Sequence, residues 1–324
     1  MAAAPATAED PDPASVTTPV SEILARALGY PYPRPPSSFV FHGGSAHAFD
    51  DAAWPPAGAL RSPACVAALA LPCPRASAAT LAALQATSSA GLTPVLAIGS
   101  NAGPEQLARK FGGPAFQATA IPSTRALLRG FDVVYAPLLS SYGSVTATLH
   151  PSPATAVELY VTWLDGPALE RMHETEAAYD LVELRLDGRA LALGTSAAAA
   201  AAGAPPAAWH PPGAPVLCYV HQAGSLMLPR HGGSSPAALA EITALGRTFP
   251  ALTQAAAQAA VERLVGGGRG KDDTTAAFIL DNVTGAPSIR AGRVATLAQH
   301  AAAFEHPAAT RLASLGSVFG RSVD

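Results

Sequence analysis

A short apolar run that leads into small polar residues is the first place where this sequence could support chemistry. Residues 94–98 have the composition of a buried strand, and the tripeptide Gly99-Ser100-Asn101 follows directly. A helix that begins near Pro104 would leave the free N–H groups of this turn where a strand passes into a helix. Such N–H groups are suited to holding an anion. The turn is therefore a candidate binding site for a negatively charged group, although most turns of this composition are only turns.

A carboxylate about 75 residues later stands where an apolar side chain is expected. Four residues share the i, i+3, i+4, i+7 spacing of one helix face: Leu169, Met172, His173 and Glu176. Glu170 and Glu174 fall outside this face. We therefore expect Glu176 to be the acidic residue of this helix that points into the protein. The alternative is a half-exposed glutamate whose stem packs against the protein while its carboxylate stays in water.

These two motifs, in this order, resemble those of the γ-glutamylcyclotransferase-like family. Members of the family begin with a strand and a Tyr-Gly-Ser-Asn or similar turn. They later carry a glutamate on a short helix, followed by a strand with a tyrosine. The matching residues here are Ile98-Gly99-Ser100-Asn101, Glu176 and Tyr179, and the resemblance covers roughly residues 93–264. Ile98 departs from the pattern, since most relatives have tyrosine there.

The resemblance implies an enzyme that cyclises a γ-glutamyl amide and releases 5-oxoproline and a free amine, with no cofactor and no metal. It implies that Glu176 acts as general base and then general acid, and that the Gly99-Ser100-Asn101 turn donates N–H groups to substrate oxygens. It also implies that Tyr179 orients the substrate, with Tyr142 as a weaker candidate of the same kind. A tyrosine at the start of a strand is more often a core residue, and this alternative stays open.

Two other functions remain open at this point. A non-catalytic binding protein could keep the same barrel and pocket, and Ile98 in place of tyrosine favours this alternative. An enzyme that removes a γ-glutamyl protecting group from a larger metabolite would fit the long additions at both ends of the chain. The leaving amine and the oligomeric state are left open by the sequence.

Several other motifs lack a residue that their function needs. Residues 97–101 are also similar to the start of the hydroxymethyl-pterin pyrophosphokinases, but no Asp-x-Asp metal-binding segment follows about a hundred residues later. The glycine-rich segment 266–271 has Asp272 where a phosphate-binding loop needs Ser or Thr. Segment 173–176 has no second histidine for zinc, and Cys65 and Cys73 have no partner at ligand spacing. The sequence therefore implies neither a metal nor a cofactor.

Composition narrows the class of protein. The chain has 324 residues, 49% of them hydrophobic and many of these alanine, which is enough for a real core. Charged residues make up 13% and the formal net charge is -3, so we expect neither nucleic acid nor membrane as a partner. Residues 1–20 fail as a signal peptide, and three cysteines are too few for a disulfide framework. A cytoplasmic protein with a small-molecule substrate is expected.

Many short strands with few helices between them predict an α+β fold, with a mixed or antiparallel β-barrel and short flanking helices. The predicted strands are 93–98, 116–121, 133–136, 144–149, 157–161, 181–186, 190–193, 216–220 and 276–280. The predicted helices, apart from the one that carries Glu176, are 21–28, 77–90, 104–111, 237–245, 252–265 and 293–304.

The predicted organisation has four parts. Residues 1–20 form a disordered tail, and residues 21–91 form an N-terminal extension that packs on the core. Residues 92–265 form the γ-glutamylcyclotransferase-like domain, in which 197–215 is an Ala/Pro/Gly loop. Residues 266–324 form a C-terminal extension without an assigned role.

Overall fold

The computed structural model describes residues 18–48, 51, 80, 82–83, 86, 91–266 and 274–315. Most of the predicted tail 1–20, most of the predicted helix 77–90, Cys65, Cys73 and most of segment 266–271 lie outside these residues. The described helices include none that is both long and apolar enough to cross a bilayer.

The helices, in chain order, are α1 (Val20–Leu28), α2 (Pro104–Phe111), α3 (Gly166–Glu174), α4 (Ala197–Ala201), α5 (Gln254–Gly266), α6 (Thr275–Thr284) and α7 (Pro287–Ala298). The strands are β1 (Phe39–His42), β2 (Ser45–Ala48), β3 (Thr93–Ala97), β4 (Ile121–Leu139), β5 (Val145–Leu164), β6 (Tyr179–Arg185), β7 (Leu191–Leu193), β8 (Ala208–Trp209), β9 (Pro215–His221), β10 (Ser225–Arg230), β11 (Gly233–Pro236), β12 (Ala238–Leu239), β13 (Ala244–Leu245), β14 (Ala251–Leu252), β15 (Ala301–Ala302) and β16 (Ala309–Ser314). Single 3-10 turns cover Ser100–Ala102 and Pro114–Phe116.

Two long antiparallel strands, β4 and β5, form the centre of the fold. Their register runs from Ser123 opposite Thr162 to Leu139 opposite Val145. The register shifts at two places, between Tyr135 and Leu139 and beside Gly130, whose φ of +85° is a conformation that glycine adopts without strain. Strand β4 contains one of the predicted short strands and β5 contains two. Residues 133–136 lie in β4, and residues 144–149 and 157–161 lie in β5.

The main sheet is mixed. Its principal path is β14-β12-β4-β5-β3-β9-β6-β16, in which the pairs β3–β9 and β12–β14 are parallel. The sheet bends so far that strands distant along this path touch the first half of β5. The Tyr179 hydroxyl of β6 donates to Thr146 of β5 at 2.9 Å, and the His221 N–H of β9 donates to the Thr148 hydroxyl at 3.1 Å. This bend brings the ends of β3, β5 and β6 around one space.

Segments from both ends of the chain join this sheet. Strand β1 pairs with β4, with Phe39 opposite Ser123, and β16 pairs with β6. Helix α1 packs against α6, and α7 packs against β4. Burial of the large side chains Phe39 and Trp163, both 2% exposed or less, contributes to the hydrophobic free energy that holds these layers together. Trp163 also donates to the Thr124 hydroxyl at 2.8 Å, so its polar atom is not stranded in the core.

Most of the predicted elements are present, within a few residues at each end. Helix 104–111 is confirmed as α2, helix 21–28 as α1 and helix 252–265 as α5. Strands 93–98, 181–186, 190–193 and 216–220 correspond to β3, β6, β7 and β9. The fold class, α+β with a large mixed sheet, is therefore confirmed.

Four predicted elements are wrong, and tertiary contacts explain the first of them. Residues 237–245 form the short strands β12 and β13 instead of a helix, because Ala238 pairs with both Val134 and Ala251. Pairing on two sides outweighs the helix propensity of alanine. The predicted strand 116–121 is absent: Phe116 ends a 3-10 turn, residues 117–120 form a connection, and β4 begins only at Ile121.

The other two errors concern helices that were missed. The predicted strand 276–280 lies inside α6, where the Thr274 hydroxyl accepts from the Ala277 N–H as an N-cap. A short apolar run does not separate a strand from a buried helix. The predicted loop 197–215 contains α4 and β8, and the Ser196 hydroxyl caps α4 through the Ala199 N–H at 3.0 Å. The predicted helix 293–304 lies earlier, as α7.

Candidate functional site

The turn after β3 has the geometry that a strand-to-helix connection requires. The first hydrogen bonds of its 3-10 turn come from the N–H groups of Ala102 and Gly103, which donate to the carbonyls of Gly99 and Ser100 at 3.3 and 2.8 Å. The N–H groups of Ser100 and Asn101 precede these bonds, as the first N–H groups of any helical turn do. Both residues line a cavity.

Gly99 is required by a close approach within this turn. A Cβ atom at position 99 would overlap the hydroxyl oxygen of Tyr30. The tyrosine hydroxyl therefore lies against the main chain of the turn, where a side chain would otherwise stand. Ile98, 6% exposed, precedes the glycine and lines the same cavity.

Glu176 points inward, as predicted, but it does not belong to the helix. Helix α3 ends at Glu174, and Thr175 caps it by donating its hydroxyl to the Met172 carbonyl at 2.8 Å. Glu176 stands in the turn that leads to β6, and its carbonyl accepts from the Tyr179 N–H at 2.9 Å. The side chain is 11% exposed. The helical spacing thus located the correct residue but assigned it to the wrong element.

The Glu176 carboxylate meets the distant turn directly. Its Oε1 atom accepts from Asn101 Nδ2 at 3.0 Å and from Lys110 Nζ at 2.5 Å. Lys110 is 7% exposed, and its Nζ also approaches Met172 Sδ at 3.3 Å. The other side-chain atom of Asn101, Oδ1, is buried and has no hydrogen-bond partner among the described residues. These three side chains form a charged cluster with unused acceptor capacity, which we call the acid–amide–lysine cluster (Asn101, Lys110, Glu176).

Lys110 was missed by the sequence analysis, although a signal was present. On α2, Leu107 and Phe111 are both buried. Lys110 lies three residues after Leu107 and therefore on the same face. A lysine on an apolar helix face either extends its charged end into water or meets an acid. Here it meets Glu176.

Two tyrosine hydroxyls form hydrogen bonds with the main chain of Ala147 in β5. The Tyr179 hydroxyl lies 3.1 Å from the Ala147 carbonyl and 2.9 Å from the Thr146 hydroxyl, so its proton has acceptors within the protein. The Tyr30 hydroxyl accepts from the Ala147 N–H at 3.0 Å. Burial raises the pKa of Tyr30 and the pKa of Tyr179 above the usual value, so both hydroxyls keep their protons at neutral pH.

Tyr30 differs from Tyr179 in one respect. Its oxygen accepts a hydrogen bond, but no hydrogen bond among the residues that the structure describes uses its O–H as donor. The hydroxyl lines the cavity beside Gly99. It is therefore available to donate to a bound molecule. Nothing in the sequence indicated this role, since Tyr30 belongs to a proline-rich segment far from both motifs.

Tyr142 also lines the cavity, and its ring is in contact with a guanidinium group and with another aromatic ring. The guanidinium of Arg26 stands 4.8 Å from the centre of its ring, and the ring of Tyr32 lies 6.2 Å away. Burial also raises the pKa of Tyr142. These contacts make Tyr142 part of the cavity wall and give no sign of a separate chemical role.

The cavity that these residues border has a volume of about 560 Å³. Its lining includes every residue that the sequence analysis singled out: Gly99, Ser100, Asn101, Tyr142, Glu176 and Tyr179. Residues from α7 line it as well: Arg290, Ala291, Val294, Ala295 and Ala298. The C-terminal region, which had no predicted role, therefore supplies part of the wall.

Comparison of the chain with models of protein families, with curated proteins and with solved structures found no match. The function of the protein is therefore inferred from the cavity and the side chains that line it.

Proposed function

We propose that this protein cyclises a γ-glutamyl amide and releases 5-oxoproline and a free amine. The α-nitrogen of the glutamyl group forms a bond to the γ-carbonyl carbon, and the bond from that carbon to the leaving nitrogen breaks. Two protons leave the α-nitrogen, one before and one after the attack, and both pass to the leaving nitrogen, which departs as an ammonium ion, so no water, oxidant or cofactor is consumed. Since the attack is intramolecular, holding the chain folded supplies much of the rate acceleration.

The observation that carries the proposal is the ion pair inside the cavity, between Lys110 and Glu176. A γ-glutamyl group ends in an α-ammonium and an α-carboxylate. The Lys110 ammonium and the Glu176 carboxylate carry the same two charges as that head group. If each of them binds the oppositely charged group of the substrate, all four charged groups have a partner. The α-carboxylate would take Lys110 Nζ, which has three donors, and the α-ammonium would approach Glu176.

The remaining polar groups fit the later steps. Once Glu176 has accepted a proton from the ammonium, the neutral amine attacks the γ-carbonyl and an oxyanion develops. The N–H groups of Ser100 and Asn101 and the O–H of Tyr30, all on residues that line the cavity, would stabilise this oxyanion. Glu176 then returns its proton to the leaving nitrogen, takes the second proton from the attacking nitrogen and passes it to the departing amine, which leaves as an ammonium ion. Asn101 Oδ1, which lacks a partner among the described residues, is an acceptor for the ammonium.

The fold also supports the resemblance to the γ-glutamylcyclotransferase-like family. The main sheet bends until β6 and β9 contact the first half of β5, as a barrel of the predicted kind would require. In this proposal residues 92–265 form the catalytic barrel, and the ends of the chain complete its cavity. Ile98 replaces the tyrosine of the family, while Tyr30 brings a hydroxyl to the neighbouring glycine.

The decisive experiment compares Glu176→Gln with the matched control Glu170→Gln. Both variants remove one negative charge and keep the side-chain shape, but Glu170 is exposed and lies outside the cavity lining. We expect Glu176→Gln to lower the rate of 5-oxoproline release by a factor of about 10² or more, the scale of a lost general base. Glu170→Gln should match the wild type, as measured by chromatography of released 5-oxoproline.

Equal rates in wild type and Glu176→Gln would remove Glu176 from the mechanism. If the wild type releases no 5-oxoproline from any γ-glutamyl amide, the second candidate function stands: a protein that binds such molecules without converting them. The Lys110 ammonium, which already occupies the proposed base, and Ile98 favour that candidate. Calorimetric titration with a γ-glutamyl amide would then show binding without turnover.

A further inference from the structure

The cavity has a second stretch of lining that differs in character from the acid–amide–lysine cluster. It is formed by apolar side chains from the end of β4 and from α7: Leu138, Leu139, Ala291, Val294, Ala295 and Ala298. The charged groups assigned to the γ-glutamyl head come from other elements, namely the turn after β3, α2 and the segment before β6. The acid–amide–lysine cluster therefore lies on other elements than this apolar wall, within which α7 contributes one charged lining residue, Arg290.

The apolar wall is firmly held in place. Arg293 of α7, 8% exposed, donates to Asn282 Oδ1 at 2.6 Å and pairs with Asp281 at 2.5 Å. Its guanidinium also lies 4.7 Å from the centre of the Phe278 ring. These contacts attach α7 to α6, so the wall exists before any ligand binds. A preformed apolar surface binds apolar groups without a cost for ordering it.

The size of the cavity adds an independent constraint. Its volume of about 560 Å³ lies within the range of roughly 300–1,000 Å³ that is usual for drug-sized ligands. A γ-glutamyl head is much smaller than such ligands. Much of the space, and the apolar wall with it, is therefore left for the amine to which the glutamyl group is attached.

We infer that the leaving amine carries an apolar chain or ring that packs against α7. This inference rests on the proposed cyclisation and adds a substrate class to it. The rival class is a γ-glutamyl amino acid, whose carboxylate would need a cationic partner on this side of the cavity. On α7 that partner would be Arg290, one nitrogen of which already donates to the Asn282 carbonyl at 3.1 Å. At the other lining residues of α7 and at the end of β4, the carboxylate would meet alanine, valine and leucine side chains, where an unpaired charge is unfavourable.

A substrate panel with the wild-type protein tests the inference. The three compounds are γ-glutamyl-methylamide, γ-glutamyl-n-butylamide and γ-glutamyl-glycine, and the measurement is kcat/KM for 5-oxoproline release. We expect the butylamide to exceed both others by about tenfold or more, because each added methylene gains binding energy in an apolar pocket. Release from none of the three would reject the cyclisation itself. Release with no preference for the butylamide, or with a preference for γ-glutamyl-glycine, would overturn this inference alone.

A pair of variants locates the preference on α7. Ala295→Trp fills the apolar wall from an exposed position of the helix, whereas Gln299→Trp adds the same ring outside the lining. In Ala295→Trp the ratio of kcat/KM for butylamide to that for methylamide should fall toward one. In Gln299→Trp the ratio should stay at its wild-type value. A ratio that survives in Ala295→Trp would place the apolar group elsewhere and overturn the assignment to α7.

Discussion

Asp132 and Glu176 are both buried acids paired with a basic side chain, but they differ in how completely their hydrogen bonds are used. Asp132, which is fully buried, accepts from the Val133 N–H at 2.9 Å and from two nitrogens of Arg247 at 2.9 and 3.0 Å. Arg247 also donates to the carbonyls of Leu239 and Ile242. The donors and acceptors of this pair are thus engaged within the protein.

The network around Glu176 is incomplete by comparison. Lys110 and Asn101 both donate to Oε1 of Glu176, and Asn101 Oδ1 has no partner among the described residues. A cavity borders this network. A closed network can act only on stability, because it has nothing left to offer a ligand. An open network beside a cavity keeps the capacity to bind one, and this difference separates a structural acid from a functional one.

The largest expected effect tests this contrast by changing each acid to its amide. Asp132→Asn leaves the Arg247 guanidinium without a counter-charge in a closed interior, which should cost about 3–5 kcal/mol of unfolding free energy. Glu176→Gln should cost about 1 kcal/mol or less, because Lys110 borders a cavity that water or an anion can enter. Urea denaturation measures both.

Turnover should show the opposite order. Asp132→Asn should keep the wild-type rate of 5-oxoproline release per folded molecule, whereas Glu176→Gln should lose it. Two variants with the same loss of stability and the same loss of turnover would mean that the completeness of the network does not distinguish the two acids.

His221 sharpens the comparison, because it is buried and in contact with Tyr179 but lies outside the cavity lining. Its ring packs edge-on to Tyr179 at 5.6 Å, and its Nδ1 accepts from the Ala223 N–H at 3.2 Å. Burial lowers the pKa of His221 to about 4. The unfolded chain takes up this proton near pH 6.5 and the folded protein only near pH 4, so stability is lost as pH falls through that window.

This group alone should account for about 3 kcal/mol of stability lost between pH 6.5 and 4. The variant His221→Asn keeps a side-chain acceptor for the Ala223 N–H and cannot titrate. Its stability should therefore fall less than that of the wild type over the same pH range, as measured by urea denaturation at each pH. Parallel pH profiles for the two proteins would contradict the assignment.

The parts of the site that the sequence predicted are those with a local pattern. The turn at residues 99–101 follows an apolar run, and Glu176 shares a spacing with Met172. Lys110 also had such a pattern, since it shares the face of Leu107. Tyr30 and α7 had none, because long-range packing of both chain ends on the main sheet brings them to the cavity. Positions created by such packing leave no periodicity in the sequence.

The same distinction holds for the fold. The alternation of Val157, Leu159 and Val161 correctly predicted a strand. The continuity of β5 was not predicted, because Pro151 and Pro153 interrupt it and proline normally excludes a central strand. Pro151 stands opposite Phe131, beside the register shift at Gly130, where the regular ladder is already disturbed. The extra residues lie in β5 itself, where residues 152–155 stand opposite Gly130 alone, so Pro153 falls inside the bulge and Pro151 at its edge, and only the paired structure contains that information.

The smallest expected effect applies the comparison to two tyrosine hydroxyls. The Tyr135 hydroxyl donates to the Leu252 carbonyl at 3.0 Å, and Tyr135 lies outside the cavity lining. Its donor is therefore already used within the protein. Tyr30 accepts from the Ala147 N–H and keeps its proton for the cavity. Tyr30→Phe should lose about 1–3 kcal/mol of stability, because it leaves the buried Ala147 N–H without its partner. Tyr135→Phe should lose about 1 kcal/mol or less, because the Leu252 carbonyl still accepts from the Ala240 N–H at 2.9 Å.

Only Tyr30→Phe should also slow the reaction. A donor that acts on the developing oxyanion lowers kcat and leaves KM unchanged, and one neutral hydrogen bond corresponds to about a tenfold decrease when the N–H groups of the turn remain. Steady-state kinetics of 5-oxoproline release at a temperature where both variants are folded measures this difference. A raised KM with an unchanged kcat would mean that Tyr30 binds the ground state, and equal kinetics in Tyr30→Phe and Tyr135→Phe would make its hydroxyl purely structural.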